Sequence, residues 1–151
     1  MGAAIARELA SRGYKLALLS PSDSCVELAK ELGGVAYKGS VTKKEDLKGL
    51  VDLAMKTYGR IDAVVNNTGH PPRGDLLEIR DDEWQSGLEL CLMNVIRMCR
   101  LVTPIFQKQG GGAIVNISAV GAIQPLSGQI LIAFFFLVDF PHDLSAFACL
   151  D

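Results

Sequence analysis

The amino-acid sequence predicts an α/β fold in which helices cover both faces of a parallel sheet. Short apolar runs, such as residues 16–19 and 61–65, alternate along the chain with segments whose apolar residues repeat at helical spacing. The run at 16–19 is continuous rather than alternating, which is typical of a strand covered on both faces. Helices of about ten residues or more separate the apolar runs, and this favours parallel pairing, which needs a long crossover connection.

Eight elements are predicted, each from its own pattern. They are helices over Gly2–Ser11, 22–33, 42–58 and 82–107, and strands over 16–19, 35–37, 61–65 and 113–117. Ser22 or Asp23 is expected to cap the second helix and Thr42 the third, because these side chains accept hydrogen bonds from first-turn amides. Gly13 suits the left-handed cap of the first helix. Right-handed crossovers make this order a doubly wound, Rossmann-like arrangement.

Both ends of the chain depart from a complete fold of this kind. The sequence opens inside a helix, so we expect the sheet to be incomplete, without its first strand and its C-terminal strands. Residues 1–127 are predicted to form one partial domain, and residues 128–151 a divergent apolar tail. Two explanations of the tail are open. One is a shifted reading frame or altered splice near Ser127, and the other is that residues 130–138 take the place of the first strand.

Composition and charge exclude several classes of function. Of the 151 residues, 49% are hydrophobic and 21% charged, so the chain is not a disordered tail. A formal net charge of −2 gives no broad basic field, so neither nucleic acid nor a membrane surface is an expected partner. The four cysteines form no CxxC pair, and no metal site is expected. A signal-peptide pattern is absent, and residues 130–138 are too few to span a bilayer, so a cytoplasmic location is predicted.

Four short blocks of the sequence carry a family resemblance. They are residues 12–18 (RGYKLAL), 62–69 (DAVVNNTG), 93–95 (MNV) and 113–118 (AIVNIS). In this order and spacing they resemble blocks of the short-chain dehydrogenases/reductases, such as the 3-oxoacyl-carrier-protein reductases, whose motifs read D-x-x-V-N-N-A-G, L-N-V and I-V-N-I-S. The resemblance covers about residues 1–127, and Thr68 stands where alanine is usual.

The resemblance implies a reaction and a cofactor. Members of this family move a hydride between NAD(P) and a carbonyl or alcohol carbon of a small molecule. The positions that match its cofactor-binding motifs are Gly2, Ser40, Val41, Asn67, Thr68 and Gly69. Gly2 matches the last glycine of the T-G-x-x-x-G-x-G turn, where amides at a helix N-terminus hold a pyrophosphate. The earlier residues of that turn have no counterpart in this chain.

The other cofactor contacts are implied by position alone. Ser40 and Val41 match the pair that faces the adenine, and Asn67 matches a residue that lines the ribose. The structural alternatives are that Ser40 is a turn residue and that Asn66 and Asn67 satisfy backbone groups at a strand end. The sequence does not indicate whether NAD or NADP is the preferred cofactor. Pro21 stands where an arginine often binds the 2′-phosphate, and no acidic residue ends the strand at 16–19.

Two catalytic positions have candidates. Asn94 matches the asparagine that holds a water in the family's proton relay, although a structural asparagine that kinks the helix is the alternative. Ser118 is a candidate for the serine that orients the substrate oxygen. The usual pattern I-S-S-x-x-G, however, puts that serine at Ala119.

The family's general acid/base pair has no counterpart. In the family it is a tyrosine whose pKa is lowered by a lysine four residues later. The tyrosine position falls here on Leu131 or Ile132, and the last tyrosine and lysine of the chain are Tyr58 and Lys108. We therefore expect an oxidoreductase by resemblance with negligible hydride transfer in this chain.

A non-catalytic role is the rival interpretation. The helix at 82–107 commonly forms part of the dimer interface in the family. The chain could therefore form a homo-oligomer, or pair with a full-length homologue and regulate it.

Overall fold

The computed structural model describes residues 1–122, 124, 127, 128 and 131. Its helices are α1 (Gly2–Ser11), α2 (Ser24–Glu31), α3 (Lys44–Tyr58), α4 (Asp81–Leu88) and α5 (Asn94–Gln109). Its strands are β1 (Ala17–Ser20), β2 (Val35–Lys38), β3 (Ala63–Asn66) and β4 (Ala113–Asn116). A π-helical turn (Glu89–Met93) joins α4 to α5, and a 3₁₀ turn (Val120–Ala122) follows β4. Apart from Gly128 and Leu131, the apolar tail at 128–151, which includes the segment 130–138, lies outside the described residues.

The strands form two parallel pairs. β1 pairs with β2, with Ala17 opposite Val35, and β3 pairs with β4, with Asn66 opposite Asn116. Within the described residues the two pairs are separate sheets, and no ladder joins β1 to β3. The predicted α/β class, the parallel pairing and the incomplete sheet are confirmed.

An apolar cluster between α3 and α5 connects the two strand pairs. Its buried members are Leu47 and Val51 of α3 and Met98, Val102 and Phe106 of α5, and Val64 of β3 and Ile114 of β4 pack against it. On the other side, α3 packs against β1 and β2. The hydroxyl of Tyr58, the last residue of α3, also donates to the carbonyl oxygen of Leu16 at 3.0 Å. Each large apolar side chain buried in this way contributes roughly 1.5–3 kcal/mol.

The first helix and its end follow the prediction. α1 covers Gly2–Ser11, and Gly13 has a φ of 87°. The amides of Gly13 and Tyr14 donate to the carbonyl oxygens of Ala10 and Leu9. The left-handed glycine therefore lets the chain turn back while satisfying carbonyls of the last helical turn.

Two predicted helix caps are corrected by the structure. Thr42 does not cap α3, because its hydroxyl lies 2.8 Å from that of Ser40 and Lys43 takes the N-cap position. Asp23 does occupy the N-cap position of α2, but its side chain makes no cap bond. Its carboxylate instead accepts a hydrogen bond from Nζ of Lys38 at 2.7 Å.

The helix predicted as continuous from 82 to 107 is interrupted. α4 begins at Asp81, where Glu83 accepts a hydrogen bond from the amide of Arg80 at 3.0 Å. The π turn then inserts one additional residue before α5 begins at Asn94. Such an insertion rotates everything after it by about 100° relative to a regular helix. The apolar stripe of α4 and that of α5 therefore belong to two clusters rather than one.

Gln109 anchors the start of the second strand pair. Its Nε2 donates to the carbonyl oxygens of Ile61 and, at 2.9 Å, of Gly111, and its Oε1 accepts from the amide of Ile61 at 3.3 Å. Gly110, with a φ of 87°, ends α5 between these contacts. One side chain thus aligns the segment that enters β3 with the segment that enters β4.

Candidate functional site

The carboxyl ends of β3 and β4 are joined by a pair of asparagine side chains. Nδ2 of Asn66 donates to Oδ1 of Asn116 at 2.8 Å, and both residues are half-buried. The backbone continues the pairing for one more step, because the amide of Ile117 donates to the carbonyl oxygen of Asn66 at 2.9 Å. The partner of the Asn66 side chain is thus another side chain, and not the strand-end backbone group that the structural alternative expected. Asn116 was missed as its partner, although aligning the two predicted strand ends would have found it.

The start of α1 lies against the end of β3. A Cβ atom added to Gly2 would lie 3.0 Å from Nδ2 of Asn67, so a larger residue at this position requires the Asn67 side chain to move. Asn67 and Gly69 are exposed, and Thr68 is half-buried. The structure thus brings Gly2 together with Asn67, at the end of α1 whose first amides have no intrahelical acceptor. A helix N-terminus with such amides and a positive dipole end favours a negatively charged group.

The turn after β2 holds the other two predicted cofactor residues. The amide of Ser40 donates to Oδ2 of Asp46 at 2.8 Å, and the Ser40 hydroxyl bonds to Thr42. Val41 packs against the cluster between α3 and α5. These bonds agree with the alternative of Ser40 as a turn residue, and Asp46 is a partner that the sequence did not reveal. Contact of Ser40 with an adenine remains a prediction. The described contacts do not join this turn to Gly2 or Asn67.

Asn94 is a buried polar residue at the start of α5. Its relative exposure is 2%, and its Oδ1 accepts a hydrogen bond from the amide of Val95 at 2.6 Å. It directly follows the π turn, a feature that occurs frequently at functional sites. The helix is irregular here, as the structural alternative for Asn94 requires. The proton-relay role remains a prediction.

Ser118 and Ala119 differ in their surroundings. Ser118 is exposed just after β4, whereas Ala119 packs against a second buried cluster formed by Cys91 and Leu131. Of the two aligned positions, the one that carries a hydroxyl is therefore the one that faces solvent. The role of Ser118 in orienting a substrate also remains a prediction.

Leu131 occupies one of the two positions that match the family's tyrosine. Its side chain is fully buried, with a relative exposure of 0%. Besides Cys91, it is surrounded by partly buried hydrophobic residues: Ile79, Trp84, Leu88, Leu90 and Ala119. A hydrocarbon side chain in such a cluster stabilises the fold but has no proton to give or accept.

Two exposed ion pairs hold helices in place, one between α1 and α2 and one at the start of α4. The Arg7 guanidinium donates to Glu31 and so lowers the pKa of that carboxyl, and this pair links α1 to α2. At the start of α4, hydrogen bonding to Arg80 lowers the pKa of Asp82. Both pairs are exposed, so they orient the helices and contribute little to stability.

Neither a metal-binding group of side chains nor a membrane-spanning helix is found among the described residues. Nowhere in that part of the chain do three or more His, Cys, Asp or Glu side chains gather in a way that could hold a metal ion. Across the same residues, no helix has both the length and the apolar character needed to cross a membrane.

Parallel strands whose ends meet a helix N-terminus and polar turns are the architecture of doubly wound nucleotide-binding proteins. The comparison with family models gives the family. The short chain dehydrogenase model matches residues 1–131, so the chain belongs to the short-chain dehydrogenase/reductase family.

Individual relatives agree with this assignment. The chain is 34% identical, over 85% of its length, to an uncharacterized oxidoreductase of Listeria monocytogenes, of which it covers 54%. It is also 34% identical, over 71% of its length, to the 3-oxoacyl-[acyl-carrier-protein] reductase of Thermotoga maritima, of which it covers 44%. The chain thus spans about half the length of the curated relatives that it matches.

A solved structure supports the fold. The L-sorbose reductase of Gluconobacter frateurii, in complex with NADPH and L-sorbose, superposes with a TM-score of 0.83 at 26% identity. The superposition covers 91% of this chain and 55% of the reductase. The oxidoreductase family and the Rossmann-like fold expected from the sequence are therefore confirmed.

The asparagine pair at the ends of β3 and β4 gives a stability prediction. Asn66→Ala leaves the side-chain oxygen Oδ1 of Asn116 without its donor, so we expect the free energy of unfolding to fall by roughly 1–2 kcal/mol. Asn116→Ala should cost a similar amount, and the double variant less than the sum of the two. Urea denaturation of the four proteins measures the coupling energy, and strictly additive losses would contradict the pair's importance.

Proposed function

We propose that this chain carries the dinucleotide-binding half of an NAD(P)-dependent oxidoreductase, and that it binds NAD or NADP. The observation that supports this proposal is the close approach of Gly2 to Asn67. It brings together two family motifs, the glycine-rich turn and the D-x-x-V-N-N-A-G block. The pyrophosphate would lie at the first turn of α1, the ribose beside Asn67–Gly69, and the adenine against Ser40 and Val41. The family membership and the NADPH-bound relative support this placement.

The reaction class of the whole enzyme would be hydride transfer between the nicotinamide and a carbonyl or alcohol carbon of a small molecule. When bound, the cofactor supplies or takes up the hydride. Asn94 would hold a water in the proton relay, and Ser118 would orient the substrate oxygen. The preference between NAD and NADP stays open. Asp23, the first acidic residue after β1, is paired with Lys38 at the end of β2. A cytoplasmic location remains a prediction.

We further propose that the chain as it stands transfers hydride negligibly. Protonation of the alkoxide that forms when a carbonyl accepts a hydride requires a positioned acid. Leu131, at one of the two places that match the family's tyrosine, is buried among apolar side chains and provides none. Ile132, at the other place, has no ionisable group either.

A second candidate function is association with another copy of the chain or with a full-length homologue. Leu92, Ile96 and Thr103 form a half-buried stripe at helical spacing along the π turn and α5. None of these residues belongs to either buried cluster described above. A second helix packed on this stripe would bury it, and this supports the proposal of a dimer through residues 82–107.

Cofactor binding can be tested at Gly2. Titration with NADPH and NADH, followed by the fluorescence of the reduced nicotinamide, should show saturable binding. Gly2→Val places a branched side chain against Asn67 and should weaken binding by roughly tenfold or more, about 1.4 kcal/mol. Ser11→Val is the control, because it places the same side chain at an exposed position at the opposite end of α1. Equal binding by the two variants, or no binding by the wild type, would count against the site.

Catalysis can be tested by direct assay. With NADPH or NADH and a series of ketones, we expect no turnover above the enzyme-free rate, because the acid/base position is apolar. The full-length Thermotoga reductase serves as the positive control for the assay. Turnover that depends on this chain would refute the proposal, and loss of that turnover in Ser118→Ala would then identify the acting group.

Association can be tested by sedimentation. Wild-type protein should sediment as a dimer, and Ile96→Glu should shift it to a monomer because a charge on the stripe cannot be buried unpaired. Lys108→Glu, an exposed change near the end of α5, is the control and should leave the dimer intact. A monomeric wild type that also fails to co-purify with a full-length homologue would exclude this function.

A further inference from the structure

Arg97 makes three hydrogen bonds that connect separate parts of the candidate site. Its Nη1 donates to Oε2 of Glu89 at 2.5 Å and to the carbonyl oxygen of Thr42 at 3.1 Å, and its Nη2 donates to Oε1 of Glu89 at 3.2 Å. The side chains of Arg97 and Glu89 are only 21% and 28% exposed. A bidentate pair with this little exposure is held in one geometry, unlike more exposed pairs of the described residues such as Arg7–Glu31 and Arg80–Asp82.

The spacing of the pair matches the π turn between its partners. Eight positions separate Glu89 from Arg97, and in a regular α-helix this places two residues roughly 80° apart around the axis. The π turn, Glu89–Met93, absorbs one additional residue, so that Arg97 stands where a residue seven positions later would stand in a regular helix. Such residues lie on nearly the same face, about two turns apart. The pair therefore fits the helix with the π turn and is misaligned in a helix without it.

The direction of Asn94 depends on the same turn. Asn94 lies between the two partners, directly after the π turn, and only 2% of its surface is exposed. Loss of the π turn, with α4 held in place, would rotate Asn94 by about 100° around the helix axis. It would then leave the buried face that it shares with Val95 and Met98.

The third hydrogen bond reaches the turn after β2. Thr42 closes the turn that holds Ser40 and Val41, and the amide of Lys43 donates to the carbonyl oxygen of Ser40 at 3.1 Å. Apart from the bonds inside this turn, it is held by Asp46 at one end and by Arg97 at the other. The guanidinium of Arg97 thus contacts Thr42, on the predicted adenine side of the site, and Glu89, in the π turn that precedes the predicted relay residue Asn94.

We propose that Arg97 is a positioning residue, which maintains the π turn through Glu89, directs Asn94, and holds the turn at Ser40–Thr42 through its carbonyl contact. The importance of this role for cofactor binding rests on the function proposed above. The positioning itself depends only on the contacts of Arg97.

Hydrogen exchange measured residue by residue tests the positioning. Two amides report on the two contacts of Arg97. The amide of Val95, which donates to Asn94, reports on the contact with Glu89, and the amide of Lys43, which closes the turn, reports on the contact with Thr42. Arg97→Gln should accelerate exchange at both by about tenfold or more, because local opening becomes easier. Glu89→Gln should accelerate Val95 alone. The matched control is Arg80→Gln, which removes an exposed bidentate pair at the start of α4.

Exchanging the partners separates positioning from general destabilisation. In Glu89→Arg/Arg97→Glu the ion pair can re-form across the π turn, so protection at Val95 should return. Protection at Lys43 should not, because a carboxylate cannot donate to the carbonyl of Thr42. If Arg97→Gln behaves like Arg80→Gln at both amides, or if the exchanged pair does not restore Val95, the proposal is wrong. Should Arg97→Gln fail to fold, Glu89→Gln and the exchanged pair still decide it.

Titration with NADPH distinguishes this proposal from the proposed function. If the wild type does not bind NADPH but the exchange pattern is as expected, cofactor binding fails and the positioning role stands. If the wild type binds, Arg97→Gln should raise the Kd by roughly tenfold and Arg80→Gln should leave it unchanged. Equal Kd values for the two variants would overturn the role of Arg97 in the site.

Discussion

The packing of α3 against α5 is the contact on which the arrangement of the molecule depends. The two strand pairs share no ladder in the described chain, so backbone hydrogen bonds cannot fix one pair relative to the other. Leu47 and Val51 on one helix and Val102 and Phe106 on the other make that connection through apolar burial. Because β1 and β2 contact α3, while Val64 of β3 and Ile114 of β4 pack against the cluster that α3 and α5 share, both halves of the sheet are positioned by this helix pair. The turn at Ser40 and the helix start at Asn94 inherit their relative placement from this contact.

Much of the fold could be predicted from the sequence, because its strongest signals are local. α1 was predicted with its observed bounds, since apolar spacing and a following Gly13 define a helix and its end without reference to the rest of the chain. β1 to β4 were predicted to within about two residues, as is usual for short apolar runs. The failures concern competition between partners. Thr42 and Asp23 are both good capping residues, but their side chains bond to Ser40 and Lys38 instead of to the first turn of a helix. These partners lie at and just after the end of β2, so they become apparent only when the position of β2 is known.

The π turn and the candidate site show the same limit. Apolar residues recur through 82–107 whether or not one residue is inserted, so the pattern does not reveal the change of face at Glu89–Met93. Motif resemblance located Gly2 and Asn67 individually, and the structure shows that they meet. It could not reveal Arg97, whose partners Thr42 and Glu89 lie far apart along the chain. Such a contact depends on tertiary packing and leaves no periodic signal.

The second strand pair is closed by amide side chains at both ends. Gln109 ties Ile61 to Gly111 where the strands begin, and Asn66 binds Asn116 where they finish. A slip of one residue between β3 and β4 would turn every side chain of one strand to the opposite face. It would also break both closures, because Asn116 would then lie opposite a residue other than Asn66. Misaligned pairings of these two short strands therefore lose side-chain hydrogen bonds at both ends, so the alignment does not depend on the three other residue pairs of the ladder alone.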